Sequence, residues 1–356
     1  MFPRAFVLLV SLTLAGCAQL GYYAQAVNGQ MWVLGARQPI ARVIDDPATP
    51  EPRRERLRVA LAAREFASRE LGLPDNDSYR LFSDLGRGYV VWNVVATPEL
   101  ALTPRRSCFP IAGCLDYRGW FNRDRAERHA ARLRAAGDDV FSGPVDAYST
   151  LGWFDDPLLN TMLAWSEADM VAIVFHELAH QRVYAPDDSR FNESYATAVE
   201  TEGLRRWLAG REPAAFARWQ AERDRSRQVR ALLADTRRTL ADVYASALPD
   251  DAKRVAKRDA LDTARARYRA LREAGGWDRR HDGWFGERLN NALLAVLHTY
   301  HGWVPAFQVL LAELGGDFVA FNAEVERLAG LPVAEREAAL QALCGGDCGD
   351  GAQPAP

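Results

Sequence analysis

Apolar and polar positions follow two rhythms along this chain, and the change falls near Pro157. Before it, helix-like and strand-like stretches mix. Residues 21–40 carry apolar groups at irregular helical spacing until Pro39 intervenes. Residues 51–71 read as a charged amphipathic helix that Gly72 and Pro74 stop. Tyr89 to Ala96 (YVVWNVVA) is rich in β-branched and aromatic residues and predicts the clearest strand. Residues 123–136 predict a helix ended by Gly137, and two short strands are expected on either side of Gly143-Pro144, at Val140-Phe141 and Val145 to Leu151. Beyond Pro157 the pattern is almost wholly helical. Ser166 is a favourable N-cap with Asp169 three residues on, and that helix is expected to run to Tyr184. A second is expected from Asn192 to Leu208. Glu212 to Gly275 holds few breakers apart from Pro249, which predicts two long, charged, solvated helices, 214–247 and 251–273, folded as a hairpin. Helical stretches at 290–314, 317–329 and 332–343 complete the chain. The expected fold class is α+β, predominantly helical, with a small N-terminal sheet.

Of 356 residues, 48% are apolar and 26% charged, which excludes collagen-like, fully disordered and multi-span membrane chains. The net charge of −3 is far from the basic balance of a nucleic-acid binder, and no nucleic-acid partner is expected. The first residues set the compartment. Arg4 precedes a short apolar run, Phe6 to Ala15, too short to span a bilayer, so it reads as an export signal. Its end, Leu14-Ala15-Gly16-Cys17, resembles the lipobox of bacterial lipoproteins. That resemblance implies a signal peptide at 1–16 and a lipidated segment at 17–50, anchored through Cys17. With Ala18 following, it implies the outer membrane of a Gram-negative envelope, facing the periplasm. Four further cysteines suit disulfides in an exported chain. Three pairings are possible; the sequence-local ones, Cys108–Cys114 and Cys344–Cys348, are the simplest, and a four-thiolate metal site is the rival. Residues 344–356 read as a tail.

The chemistry concentrates in Val174-Phe175-His176-Glu177-Leu178-Ala179-His180, an H-E-x-x-H motif. Two histidines four apart share one helix face, so both imidazoles can meet one zinc ion (Zn2+), with Glu177 beside them as a proton carrier. A catalytic zinc site takes a third protein ligand and leaves one position open. Glu193, thirteen residues past His180, lies in Asn192-Glu193-Ser194-Tyr195-Ala196, which resembles the N-E-x-x-A element of thermolysin-like peptidases. Glu200, two helical turns further on, is the alternative, and the carboxylate not used could orient a ligating histidine. Glu202 is expected to be solvated.

Longer blocks carry a wider resemblance: LGLPDNDSYRLFSDL (72–86), YVVWNVVATPEL (89–100), CFPIAGCLDYRGWF (108–121), VDAYSTLGWFDDPLLNTML (145–163), FHELAHQRVYAPDDSRFNESYATAVETEG (175–203) and NNALLAVLHTYHGWVPAF (290–307). The sequence resembles the family of predicted zinc-dependent aminopeptidases found as bacterial lipoproteins. The resemblance implies a zinc peptidase of the glutamate-ligand type, with a peptide substrate, over a domain at 51–343 that includes the 212–275 hairpin. For the oxyanion donor Tyr300 is the leading candidate, with His298 and His301 behind it and Tyr148 also possible. The segment from Tyr148 to Gly152 could pair with an extended peptide. Asp155, Asp156, Glu200 or Glu202 could hold a substrate ammonium. Two alternatives to aminopeptidase action stand: a zinc endopeptidase, and an inactive envelope scaffold or binding lipoprotein.

Overall fold

The computed structural model describes residues 21–109, 113–147, 154–186, 188–297 and 302–345. In chain order the elements are α1 (21–35), β1 (Arg37–Pro39), α2 (Ile40–Asp45), α3 (Glu51–Leu71), β2 (Leu81–Ser83), β3 (Val91–Pro98), β4 (Ser107–Phe109), β5 (Gly113–Leu115), β6 (Arg118–Trp120), α4 (Arg123–Ala135) and β7 (Asp138–Val145). Then come β8 (Leu158–Leu159), α5 (Glu167–Arg182), α6 (Ser189–Ala209), α7 (Pro213–Ala245), α8 (Asp250–Gly275), α9 (Asp282–Phe285), α10 (Asn291–Val296), α11 (Val304–Glu313), α12 (Phe318–Ala329) and α13 (Val333–Leu343). Among the described residues no helix is long and apolar enough to cross a membrane. They fall into two compact units. One draws on Met1–Arg37, Asp84–Ala147 and Ala231–Leu297, the other on Gln38–Ser83, Tyr148–Arg230 and His298–Pro356.

The first unit is built on an antiparallel sheet of order β6-β3-β7. Trp92 of β3 faces Trp120 on one side and Pro144 on the other. Trp92, Val94 and Ala96, two apart and therefore on one face, bury against Ala126 and Ala130 of α4 and Tyr22 of α1. Two strands were expected around Gly143-Pro144; the chain instead makes one continuous strand through them. Among the described residues β7 pairs only with β3, so the N–H that proline lacks is not needed on its outer side. Cys108 and Cys114 face each other across the β4–β5 hairpin and form the expected disulfide. Cys344 is also disulfide-bonded, whereas Cys348 lies outside the described residues. Lys257 on α8 is buried; its ammonium donates to the Glu99 carbonyl (2.8 Å) and to Asp139 (2.7 Å), and Asn291 bonds both groups as well. The long helices have the expected bounds to within two residues, but they are not uniformly solvated. Leu232, Leu233 and Leu240 of α7 and Leu261, Ala264 and Tyr268 of α8 are buried.

The second unit holds the motif helix. Ser166 caps α5, its Oγ accepting from the Asp169 N–H at 3.1 Å. The helix stops at Arg182 because Val183 is already extended. α5 packs against α3 and α6, with Phe175 stacked on Phe66 at 5.8 Å between ring centres. Gly203 permits that approach: a Cβ there would sit 2.7 Å from Leu71 and 3.0 Å from Phe175. α6 begins at Ser189, three residues before the expected Asn192. Asp188 is the cap, accepting from the Phe191 N–H at 2.9 Å. Asn192, instead of starting the helix, is buried and binds both the N–H and the carbonyl of Ala185.

Candidate metal centre

The helical period turns His176 and His180 to one side of α5, and the first turns of α6 bring Glu193 to meet them. Their ligand atoms lie within 4.8 Å of one another. His176 Nε2 is 3.2 Å from His180 Nε2 and 3.4 Å from Glu193 Oε2; His180 Nε2 is 3.5 Å from Glu193 Oε1. Bonds of about 2.0–2.2 Å to a tetrahedral zinc put neighbouring ligand atoms about 3.3–3.5 Å apart. The observed separations are of that size, with the Glu193 carboxylate turned one oxygen to each histidine.

The protonation pattern agrees. Glu200 Oε2 stands 3.0 Å from His176 Nδ1. A carboxylate accepts the Nδ1–H, and in the neutral imidazole that leaves the Nε2 lone pair directed toward His180 and Glu193. His180 is buried, and its pKa falls to about 4, first through desolvation and then through neighbouring His176; the imidazole is neutral at neutral pH. Three lone-pair donors facing one point suit a cation. The donor set, two imidazoles and one carboxylate, is the kind zinc takes in hydrolytic sites.

Glu200 therefore sits behind His176 and not in the ligand triad. It is buried, and its other oxygen is bound by Arg223 of α7. Arg223 lies over the ring of Trp219 at 4.8 Å. Glu202 was expected to be solvated; it is half-buried and bound by Arg205 (2.6 Å) and Arg206 (2.8 Å). Burial alone would raise its carboxyl, but the hydrogen bonds from both arginines outweigh it and hold the pKa below the usual range. Glu200 and Glu202, both candidate ammonium anchors, are thus bound by arginines. Glu177 is half-buried on α5 between the two histidines in sequence. Asp156 is buried and Asp155 exposed. Tyr148, His298, Tyr300 and His301 lie outside the described residues.

Three supports went unnoticed in the sequence. Arg223 is one. Gln181, next to His180, is held by Asn76 (Nδ2 to Oε1, 2.8 Å), and the Asn76 carbonyl accepts from the buried Arg64. Arg336 of α13 is buried and donates to Asp188, the cap of α6, at 2.6 Å. All are long-range, polar and singly spaced, so no periodicity marks them.

A mostly helical α+β chain whose two histidines and one glutamate can chelate a metal ion defines a class of metal-binding protein. Within that class the chain belongs to the family described as "putative aminopeptidase", whose model matches residues 21–340. No curated protein and no solved structure matches it.

Proposed function

We propose that this chain is a zinc peptidase of the bacterial envelope that removes residues from the free N-terminus of peptides. The observation that carries the reading is the trio His176, His180 and Glu193, close enough together to hold one metal ion, with Glu177 on the same helix. His176, His180 and Glu193 would hold the zinc ion, which would supply the polarisation of water and of the scissile carbonyl. Glu177 takes the proton from the attacking water and passes it to the departing amine. His176 is held in one tautomer by Glu200, so it offers the correct nitrogen without rearrangement.

Tyr300 is assigned the oxyanion donor, with His298 and His301 behind it and Tyr148 as a further candidate. Support comes from the chain just beyond: the N–H of Trp303 donates to Ser194 Oγ at 3.1 Å, and Ser194 follows Glu193. Tyr300 is three residues from that point. The mature chain is proposed to begin at Cys17, acylated, on the outer membrane. A second reading, endopeptidase action, is favoured by the engagement of Glu200 and Glu202 with arginines, which leaves those two less suited to a substrate ammonium.

Matched peptides with free and acetylated N-termini separate the two. Aminopeptidase action predicts cleavage of the free form only; equal cleavage of both establishes the endopeptidase. In either case Glu177→Gln lowers turnover by about 10²–10⁴-fold while metal content stays at the wild-type level. Full activity of that variant, or no peptide cleavage by the zinc-loaded wild type, would contradict the reading.

A further inference from the structure

The helix α1 has two unlike faces. Tyr22, Gln25, Gly29 and Val33 recur at helical spacing and turn inward: Tyr22 and Val33 are buried, Gln25 bonds Gly119 and Phe121, and the Phe121 ring closes on Gly29. The opposite face carries Ala24, Val27 and Met31, flanked by Trp32. Val27 is 63% exposed and Met31 61%, which places both among the most exposed large apolar side chains described, and Trp32 is 43% exposed. No Asp, Glu, Lys, Arg or His occurs between Cys17 and Arg37. A solvated helix of that length ordinarily carries charges on its outer side.

We propose that this outward face of α1 lies in the interface of a phospholipid bilayer. The proposal rests on the reading that Cys17 carries the lipid. Given that, four peptide units separate the anchor from Gly21, a reach of at most about 14 Å. A face so close to the acyl chains meets lipid before any other partner. Its composition fits: Val27 and Met31 supply apolar area, and Trp32 is a side chain favoured at the boundary of headgroups and hydrocarbon. Charge complements it. Arg87 lies over the Trp32 ring at 4.9 Å, and Arg87 and Arg125 line a hollow of about 530 Å³ beside Trp32 and Asn28. Arg87 donates to the carbonyls of Tyr89, Val90 and Phe121 and holds the Trp32 ring in place, so Arg125 is the guanidinium placed to meet a phosphate headgroup. The lipid anchor then holds the chain, while α1 fixes how the first unit meets the membrane.

The test uses the full mature chain, purified from its native envelope and reconstituted in vesicles of phosphatidylethanolamine and phosphatidylglycerol. Intact mass first reports whether Cys17 is acylated. A spin label at Met31→Cys is then compared with one at Val333→Cys, an exposed site on α13 in the other unit. Collisions with oxygen and with a water-soluble nickel chelate report depth. The expected result is an oxygen-to-nickel accessibility ratio about tenfold higher at position 31 than at position 333. In a second measurement, Val27→Glu with Met31→Glu in a Cys17→Ser chain lowers partition onto the same vesicles about tenfold relative to Cys17→Ser alone. An acylated chain whose position 31 collides freely with nickel overturns the seating and leaves the lipid anchor standing. A label shielded from both reagents places a protein partner there and also overturns it. Absence of acyl mass removes the premise, and the proposal falls with it.

Discussion

His176 shows how much a single side chain can fix. One ring nitrogen faces Glu200 and the other faces the ligand trio, so Glu200 decides which nitrogen is free for metal. Glu200→Gln keeps the size but offers an amide that can turn either end to the ring. Metal affinity, measured by chelator competition, is expected to weaken about 10–100-fold. Glu193→Gln should cost far more, because it removes a ligand. Equal losses in both variants would mean that both carboxylates bind metal. A different histidine gives a stability signature. His129 in the first unit has its pKa lowered to about 4, chiefly by burial and then by Arg118 and Arg132. Between pH 6.5 and 4 the unfolded chain takes up a proton that the fold refuses. Stability therefore falls as pH drops through that window and is insensitive to His129 above it. Urea melts of wild type and His129→Gln should diverge there by about 1 kcal/mol after solvent screening is allowed for. The site was legible at this scale where residues are close in sequence. His176, Glu177 and His180 announce one helix face, and Glu193 carries a recognisable neighbourhood. Arg223 was not legible: it is one of 44 basic residues, reaches Glu200 from another helix, and leaves no pattern near the motif.

At the scale of elements, α5 is held to α6 by close approach, not by amphipathicity alone. Half of its side chains are buried, on more than one side, as expected of an apolar helix inside its unit. Gly203 sets the distance. Gly203→Val should cost about 1–3 kcal/mol in urea unfolding, by forcing Leu71 and Phe175 out of place. It should also weaken metal binding, because Phe175 precedes His176. A variant as stable as wild type would show that α6 can shift at little cost. Caps explain where the sequence succeeded and failed. Ser166 and Gly72 mark helix ends by their own chemistry, and both fall where expected; Gly72 takes the left-handed conformation. The start of α6 was missed because Asp188 competes with Asn192 as a cap, and burial of Asn192 against Ala185 decides between them. Pro144 misled in a similar way. Proline breaks a strand that must donate on that side, but β7 does not have to.

For the molecule as a whole, the sequence shows a shift to helix after Pro157 and a small sheet before it. It does not show that each compact unit draws on three separate stretches, since nothing local marks a chain that leaves one core and later returns. α7 belongs partly to each. The resemblance seen in the long sequence blocks and the family match over residues 21–340 agree on an aminopeptidase family; neither fixes the ammonium anchor or the oxyanion donor. The central claim is that His176, His180 and Glu193 hold one zinc ion with a position left for substrate. The most direct test is anomalous diffraction at the zinc edge from crystals of the zinc-loaded chain. A single strong peak is expected about 2.0–2.2 Å from both Nε2 atoms and one Glu193 oxygen, with Glu200 still on His176 Nδ1. A peak bonded to Glu200 with Glu193 turned away, or no peak between the two histidines, would contradict it.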